Sequence, residues 1–313
     1  MSDHGPKVII HGGAGPDLED RGGLAAVRED LHAVVSAVYQ RAQAGDSAMD
    51  CAIYGCRQLE DRPRFNAGYG SVLQADGQAR LSAGLMDGAK QRFSGVINAA
   101  RVEHPIDLAA VLQVNPDRVL SEVGAAELAR ELGLPPFDPI TPHRLQEWLQ
   151  ARQDNFSKAM AGVVAADPQA RRGTIGVVVL DRQGQLAVGT STGGKGLERL
   201  GRVSDAAMPA GTYANALAAV SCTGIGEDIM DECLAARLVI RISDGLSLEA
   251  ALAKSFKEAT LNQRDFGAIA LTQQGEVGWG KTSDVLLAAY HTGNRLGDTL
   301  ELGSGTATRV VLP

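Results

Sequence analysis

The run Thr174-Ile175-Gly176-Val177-Val178-Val179-Leu180 carries apolar side chains at both odd and even positions. Neighbouring residues of an extended chain point to opposite faces, so a strand of this kind must be covered on both sides. Asp181 to Gly184 reads as a turn, and residues 185–192 pair back as the next strand. The rest of the chain supplies the cover. Helical spacing runs over 23–43 through Leu24, Val27, Leu31, Val34, Val35 and Val38. A second helix over 47–59 has Asp46 or Ser47 as its N-cap. Asn115-Pro116 and Thr141-Pro142, each a cap followed by proline, predict helices over 115–132 and 142–153. Further helices are predicted over 227–243 and 247–260, and strands over 7–11, 266–271 and 276–280, the last two joined by Gln274-Gly275. A hairpin turn is predicted at Asp76-Gly77, between two apolar runs. Strands and helices fall in separate blocks joined by hairpins. That order points to an α+β fold, two antiparallel sheets packed face to face and covered by helices.

Composition narrows the function classes. The net charge of −7 argues against nucleic acid or an anionic membrane as the main partner. Glycine makes up 37 of 313 residues against a usual ~7%, and the glycines cluster, so they mark tight turns and sites. Cys51, Cys56, Cys222 and Cys233 have neither disulfide-framework nor zinc-site spacing and read as reduced thiols. The apolar run Val8-Ile9-Ile10 is too short for a signal peptide, and no stretch approaches the ~20 apolar residues of a membrane span. A cytoplasmic location is the expectation. Residues 154–173 read as an exposed connector, polar or small and containing Asp167-Pro168 and Arg171-Arg172.

Several motifs carry chemistry. Gly189-Thr190-Ser191-Thr192-Gly193 matches the G-x-S-x-G of serine α/β-hydrolases, with His291 as the acceptor histidine. That elbow must enter a helix, and Gly193-Gly194-Lys195-Gly196 is a poor start for one. Gly173-Thr174 is more informative. Cutting this bond would give Thr174 a free α-amine with a reference pKa of ~7.7–8, able to serve as general base for its own hydroxyl. In an intact chain it is a threonine opening a strand. The proposed hairpin sets the hydroxyls of 190–192 beside it. Arg202 and Asp205, three residues apart, could hold the carboxylate and ammonium of a free amino acid, or form a surface salt bridge. Ser221-Cys222-Thr223-Gly224-Ile225-Gly226-Glu227 leads into a helix and could set a hydroxyl and N–H groups around an oxyanion, or be a glycine-bearing turn.

Seven motifs in order resemble the plant-type asparaginases, also called isoaspartyl peptidases, a family of N-terminal-nucleophile hydrolases. They are His11-Gly12-Gly13-Ala14-Gly15, Phe65-Asn66-Ala67-Gly68-x-Gly70-Ser71, Met86-Asp87-Gly88, Gly173-Thr174-Ile175-Gly176, Thr190-Ser191-Thr192-Gly193-Gly194, Gly201-Arg202-Val203-x-Asp205 and Cys222-Thr223-Gly224-x-Gly226-Glu227. The resemblance implies a four-layer αββα sandwich, residues 1–313 as a single domain, and autocleavage between Gly173 and Thr174. The products would be an α chain of residues 1–173 and a β chain of 174–313, in a dimer of αβ units, formally a heterotetramer. It gives Thr174 the roles of nucleophile and base, and Thr192 that of the hydroxyl tuning it. Arg202 and Asp205 would bind the α-carboxylate and α-amine, helped by the Gly226 carbonyl. Thr223 and Gly224 would form the oxyanion hole, and Asn66 would lie at the rim of the site. Backbone carbonyls of Leu59, Glu60, Arg62, Phe65, Ala67 and Tyr69 would wrap a structural sodium ion, with no cofactor taking part in catalysis. The implied reaction is hydrolysis of the side-chain amide of L-asparagine or of a β-aspartyl dipeptide through a threonyl acyl-enzyme.

The chain departs from the family's pattern at three places. Ser82 stands where the family usually has an acidic residue, and the loop between Asp205 and Thr223 is about two residues short. Asn262-Gln263-Arg264-Asp265-Phe266-Gly267 replaces a glycine-rich run on the leaving-group side. Arg264 and Asp265 either select a charged leaving group or form an ion pair on a turn. Besides the serine hydrolase, two rival readings are a glycosylasparaginase-like amidase and an uncleaved amino-acid-binding homologue without activity.

Overall fold

The computed structural model describes residues 5–14, 22–153 and 173–313. Gly15 of the first motif and residues 154–172 of the connector lie outside the described residues. The elements are β1 (Lys7–Ala14), α1 (Gly23–Ala44), α2 (Ala48–Glu60), β2 (Arg80–Asp87), β3 (Arg92–Ala100), α3 (Pro105–Leu112), β4 (Val119–Ser121), α4 (Glu122–Glu131), α5 (Pro142–Gln153), β5 (Ile175–Leu180), β6 (Leu186–Thr192), β7 (Thr212–Ala214), β8 (Ala218–Gly224), α6 (Gly226–Glu232), α7 (Leu234–Ser243), α8 (Leu248–Leu261), β9 (Phe266–Thr272), β10 (Val277–Lys281), β11 (Leu286–His291), β12 (Leu296–Asp298) and β13 (Ala307–Val311).

One sheet runs β12-β11-β1-β5-β6-β2-β3-β4 and the other β13-β10-β9-β8-β7. Pairing is antiparallel except for β3 with β4. The two-parity apolar run explains the layering. Val177 and Val179 join Val8 and Ile10 in packing against Val34, Val35 and Val38 of α1 and Cys51 and Leu59 of α2. Val178 and Leu180 turn the other way and meet Ile269, Leu271 and Trp279 of the second sheet. The far face of that sheet, through Val220, Cys222 and Ala268, packs on Leu238 of α7 and Leu252 and Phe256 of α8. The result is the four-layer αββα sandwich.

Several expected boundaries shift. The 115–132 helix starts only at Glu122, because Val119–Ser121 is taken up as an edge strand in register with Gly95 of β3. Among the described residues, 71–74 before the Asp76-Gly77 turn form no strand, so the turn leads into β2 alone. The expected 227–243 helix is broken at Cys233, which adopts φ 46 and splits it into α6 and α7. Strands β11, β12 and β13 follow the hairpin expected to be last. Ser47 caps α2 by accepting the Asp50 N–H, and α5 spans the expected residues with the Thr141 hydroxyl accepting the Arg144 N–H.

Candidate active site

Thr174 immediately precedes β5, near the point where the two sheets face each other. The register pairs Ile175 with Ser191 and Gly176 with Thr190, which sets Thr174 opposite Thr192. The Thr174 hydroxyl donates to Thr192 Oγ1 at 3.1 Å, and the Gly194 N–H donates to the same oxygen at 3.1 Å. The carbonyl of Gly173, on the bond expected to be cut, accepts the Asn66 N–H at 3.0 Å. Asn66 is itself pinned. Its Nδ2 donates to Gly194 O at 2.6 Å, its Oδ1 accepts from Val72 N–H at 2.9 Å, and its carbonyl accepts from Gly193 N–H at 2.9 Å.

Behind the threonine lies a buried histidine. His11 Nδ1 is 2.9 Å from the Thr174 carbonyl oxygen and Nε2 is 2.8 Å from Ser221 Oγ. Burial pushes the His11 pKa down to about 3, so the ring is neutral. A carbonyl can only accept, so Nδ1 carries the proton and Nε2 accepts from Ser221. Ser221 Oγ lies 2.7 Å from Thr190 Oγ1, which closes a chain linking the two sheets beneath Thr174.

On the second sheet, Thr223 lies two residues beyond Ser221 and projects from the same face of β8. Its Oγ1 is buried and has no hydrogen-bond partner. Gly224 follows at φ 137, packed so closely that a Cβ would come within 2.5 Å of Phe266 Cα. Arg202, Asp205 and Gly226 meet as expected: a Cβ on Gly226 would lie 2.5 Å from Arg202 Nη2 and 2.7 Å from Asp205 Oδ1. Asp205 is buried with Oδ2 lacking a hydrogen-bond partner, and burial raises its pKa to about 6 against the pull of Arg202. A buried donor at Thr223 and a buried acceptor at Asp205 thus stand unsatisfied at one site, which favours a ligand that supplies an oxyanion and an ammonium.

Two functional groups escaped the sequence reading. Glu227 receives Arg202 Nε and Nη2 at 3.1 Å each, and Lys195 Nζ at 3.2 Å. Burial opposes its charge, yet the Arg202 hydrogen bonds hold its pKa down to about 2. The arginine fork expected for a substrate carboxylate is therefore already matched to an anion. An acid directly after the Thr223-Gly224-x-Gly226 motif was the available signal. His11 was legible as a polar residue ending an apolar strand.

Arg264 and Asp265 lie against α6, with the Asp265 carbonyl beside Gly224. Arg264 meets Asp228 at 3.1 Å, Asp231 at 2.9 Å and Glu232 at 3.6 Å, so it staples α6. The Asp265 N–H donates to Asp228 Oδ2 and its carbonyl accepts the Ile225 N–H. The serine-hydrolase elbow fails, because residues 193–196 enter no helix and the His291 ring is stacked on Tyr39 at 3.7 Å. In the expected sodium loop, the Tyr69 N–H donates to Glu60 O at 2.8 Å and the Phe65 N–H to Arg62 O at 3.1 Å. Each of these carbonyls keeps a second lone pair, and neutral oxygen donors suit an alkali cation.

Comparison with known proteins agrees with this geometry. Residues 4–301 match the protein family described as asparaginase. An isoaspartyl peptidase/L-asparaginase from Nostoc sp. is 62% identical over 96% of this chain and 96% of its own length. One of the same description from Synechocystis sp. is 60% identical, covering 96% and 92%. A plant-type L-asparaginase from Pyrococcus abyssi is 33% identical, covering 90% and 95%.

Proposed function

The chain belongs to the asparaginase family, and from that premise we propose that it hydrolyses L-asparagine and β-aspartyl dipeptides, with Thr174 as nucleophile once the bond after Gly173 is cut. Support comes above all from one juxtaposition: the Thr174 hydroxyl rests on Thr192 while the carbonyl just before it is gripped by the Asn66 N–H.

In the first step Thr174 Oγ attacks the Gly173 carbonyl carbon, and the hydroxyl proton passes to the Thr174 nitrogen as the peptide C–N bond breaks. Negative charge grows on the oxygen already facing the Asn66 N–H. Water then hydrolyses the resulting ester, which leaves a Gly173 carboxylate and a free Thr174 amine. In turnover this amine takes the Oγ proton, and Oγ attacks the side-chain carbonyl of the aspartyl moiety. The Thr223 hydroxyl and the Gly224 N–H would stabilise the oxyanion, and removing one such donor typically costs ~10²–10³ in rate. The nitrogen leaves with a proton as ammonia or an amino acid, and water releases L-aspartate from the threonyl ester. Arg202 holds the substrate α-carboxylate, displacing or sharing Glu227. Asp205 and the Gly226 carbonyl hold the α-ammonium.

Sodium held by carbonyls of Leu59, Glu60, Arg62, Phe65, Ala67 and Tyr69 would stiffen the loop that carries Asn66. Two αβ units would pair, and light scattering at twice the chain mass is the check. Four free cysteines fit a reducing compartment such as the cytoplasm, and no helix among the described residues is long and apolar enough to cross a membrane.

Intact-mass analysis of purified wild type and Thr174→Ala tests the reading. The wild type should give a fragment beginning at Thr174, and the variant a single chain that releases no ammonia from asparagine. Full activity in a preparation containing only uncut chain would overturn it.

A further inference from the structure

Three side chains come together where α2 ends and α3 begins. Asp61 follows the end of α2, and Glu103 and His104 lie directly before α3. One carboxylate oxygen of each acid and one ring nitrogen of His104 all lie within 4.8 Å of one another. Ligands ~2.0–2.2 Å from one ion sit somewhat closer than that, so exposed side chains need close by only a small amount.

The second observation is a buried carboxylate behind the histidine. Glu60 is fully buried, and its Oε2 takes His104 Nδ1 at 3.1 Å. Its Oε1 is outside hydrogen-bonding geometry, with the Ser191 hydroxyl nearby. With Nδ1–H given to Glu60, His104 Nε2 turns towards Asp61, 3.5 Å from Oδ1. A carboxylate that fixes one ring nitrogen while the other faces outward is the arrangement that orients metal-ligating histidines. Glu60, Asp61 and Glu103, with Tyr69 and Phe137, also line a cleft of 330 Å³, which is room for an ion with its waters. Charge points the same way. The two exposed carboxylates of Asp61 and Glu103 against one imidazole leave a net −1 even when the ring is protonated.

We propose that Asp61, Glu103 and His104 form a binding site for a divalent transition-metal ion of the Zn²⁺ or Mn²⁺ class, with Glu60 orienting the histidine. The donor set is one imidazole and two carboxylates, which suits these ions better than Mg²⁺. It is separate from the sodium reading above, which uses backbone carbonyls, and imidazole is no ligand for sodium. Bound metal ties the end of α2 to the start of α3 across the base of the loop carrying Asn66. Its effect is on stability and loop order, with no part in the chemistry at Thr174.

Isothermal titration of the EDTA-treated, full-length enzyme with ZnCl₂ and MnCl₂ in excess NaCl tests the proposal, with Co²⁺ absorption as a reporter of imidazole ligation. One ion per chain is expected, raising the melting temperature without changing amidase kcat. Asp61→Asn and Glu103→Gln change exposed side chains and should each weaken binding ~10-fold or more while leaving the basal activity intact. His104→Ala should abolish the Co²⁺ band, and if that variant misfolds the two acidic variants still decide. Four results each overturn the proposal: no saturable binding, unchanged affinity in the Asp61→Asn/Glu103→Gln double variant, competition by sodium, or zinc binding lost only in Cys233→Ser.

Discussion

At the scale of single residues, burial moves the titration of two groups at the site towards their neutral forms. His11 is held neutral because burial lowers its pKa to about 3. The unfolded chain can protonate this ring from about pH 6.5 downward and the folded chain cannot. Its contribution to stability is therefore intact above pH 6.5 and is lost as the pH falls towards 3. Replacing His11 by Ala strands the Thr174 carbonyl, at ~1–3 kcal/mol for the unsatisfied group, while Ser221 keeps Thr190 as a partner. We expect kcat to fall by up to ~10²-fold with KM little changed, because the Thr174 hydroxyl, the proposed nucleophile, loses its setting while Arg202 and Asp205 are untouched. Steady-state kinetics together with the extent of self-cleavage check this. Gly176 belongs to the same device, since a Cβ there would run into His11 Nε2 and Ser221 Oγ. Asp205 is the opposite case. Burial raises its pKa to about 6 from 3.8, so the folded state prefers it protonated. That preference stabilises the fold fully below pH 3.8 and is lost as the pH rises through 6. Asp205→Asn should therefore melt higher than wild type at pH 7.5 but not at pH 4, while KM for asparagine rises steeply. A melting temperature unchanged at both pH values would remove this account of the buried carboxylate.

At the scale of elements, what could be read in advance was what the chain states locally. That hydroxyls of 190–192 lie beside Thr174 followed from the expected hairpin, but a four-residue turn at Asp181–Gly184 would set Thr174 opposite Ser191; the observed pairing of Leu180 with Leu186 is what brings Thr192 there. The Ser47 and Thr141 caps were legible because their partners lie three residues away. Tertiary competition hid the rest. Asn115-Pro116 carries a sound start signal, yet β3 claims residues 119–121 first. Cys233 breaks its helix with no glycine to announce it. The His11–Ser221 bond spans 210 positions and two sheets, so no local pattern could encode it. Lys281 is another long-range case. Its ammonium, fully buried, donates to the carbonyls of Ser283 at 3.1 Å, Asp284 at 2.9 Å, Gly303 at 2.8 Å and Gly305 at 2.9 Å. One lysine thus fastens the segment before β13 to the turn after β10, and β10 pairs with the strand that backs Gly224. Lys281→Met leaves four carbonyls facing an apolar side chain, and hydrogen bonds to a charged group are worth ~1.5–3 kcal/mol each. We expect a loss of ~3 kcal/mol or more by chemical denaturation, and faster hydrogen exchange over residues 303–311. Exchange unchanged there would show that the segment holds without its staple.

At the scale of the whole molecule, the proposed cleavage after Gly173 would cut a chain whose halves are interleaved. Residues before the cut supply β1, β2, β3 and β4, and those after it supply β5, β6, β11 and β12 of the same sheet. Strand β1 is inserted between β11 and β5, and β2 lies against β6. Separating the fragments would unzip three antiparallel ladders and open the apolar layer on each face. The cut ends should therefore stay in place, with Thr174 still opposite Thr192. Unfolding is a different matter. In an uncut pair it would release two chains, whereas in a cleaved pair it would release four that must find each other again. The folded state of the cleaved form then gains stability with concentration by mass action. Calorimetry over a hundredfold dilution should show a melting temperature that falls more steeply for wild type than for uncut Thr174→Ala. Size exclusion of the wild type should show both fragments in one peak that resolves into two bands only in denaturant. Fragments eluting apart, or equal concentration dependence in the two proteins, would mean that the interleaved sheet is not what holds the cleaved enzyme together.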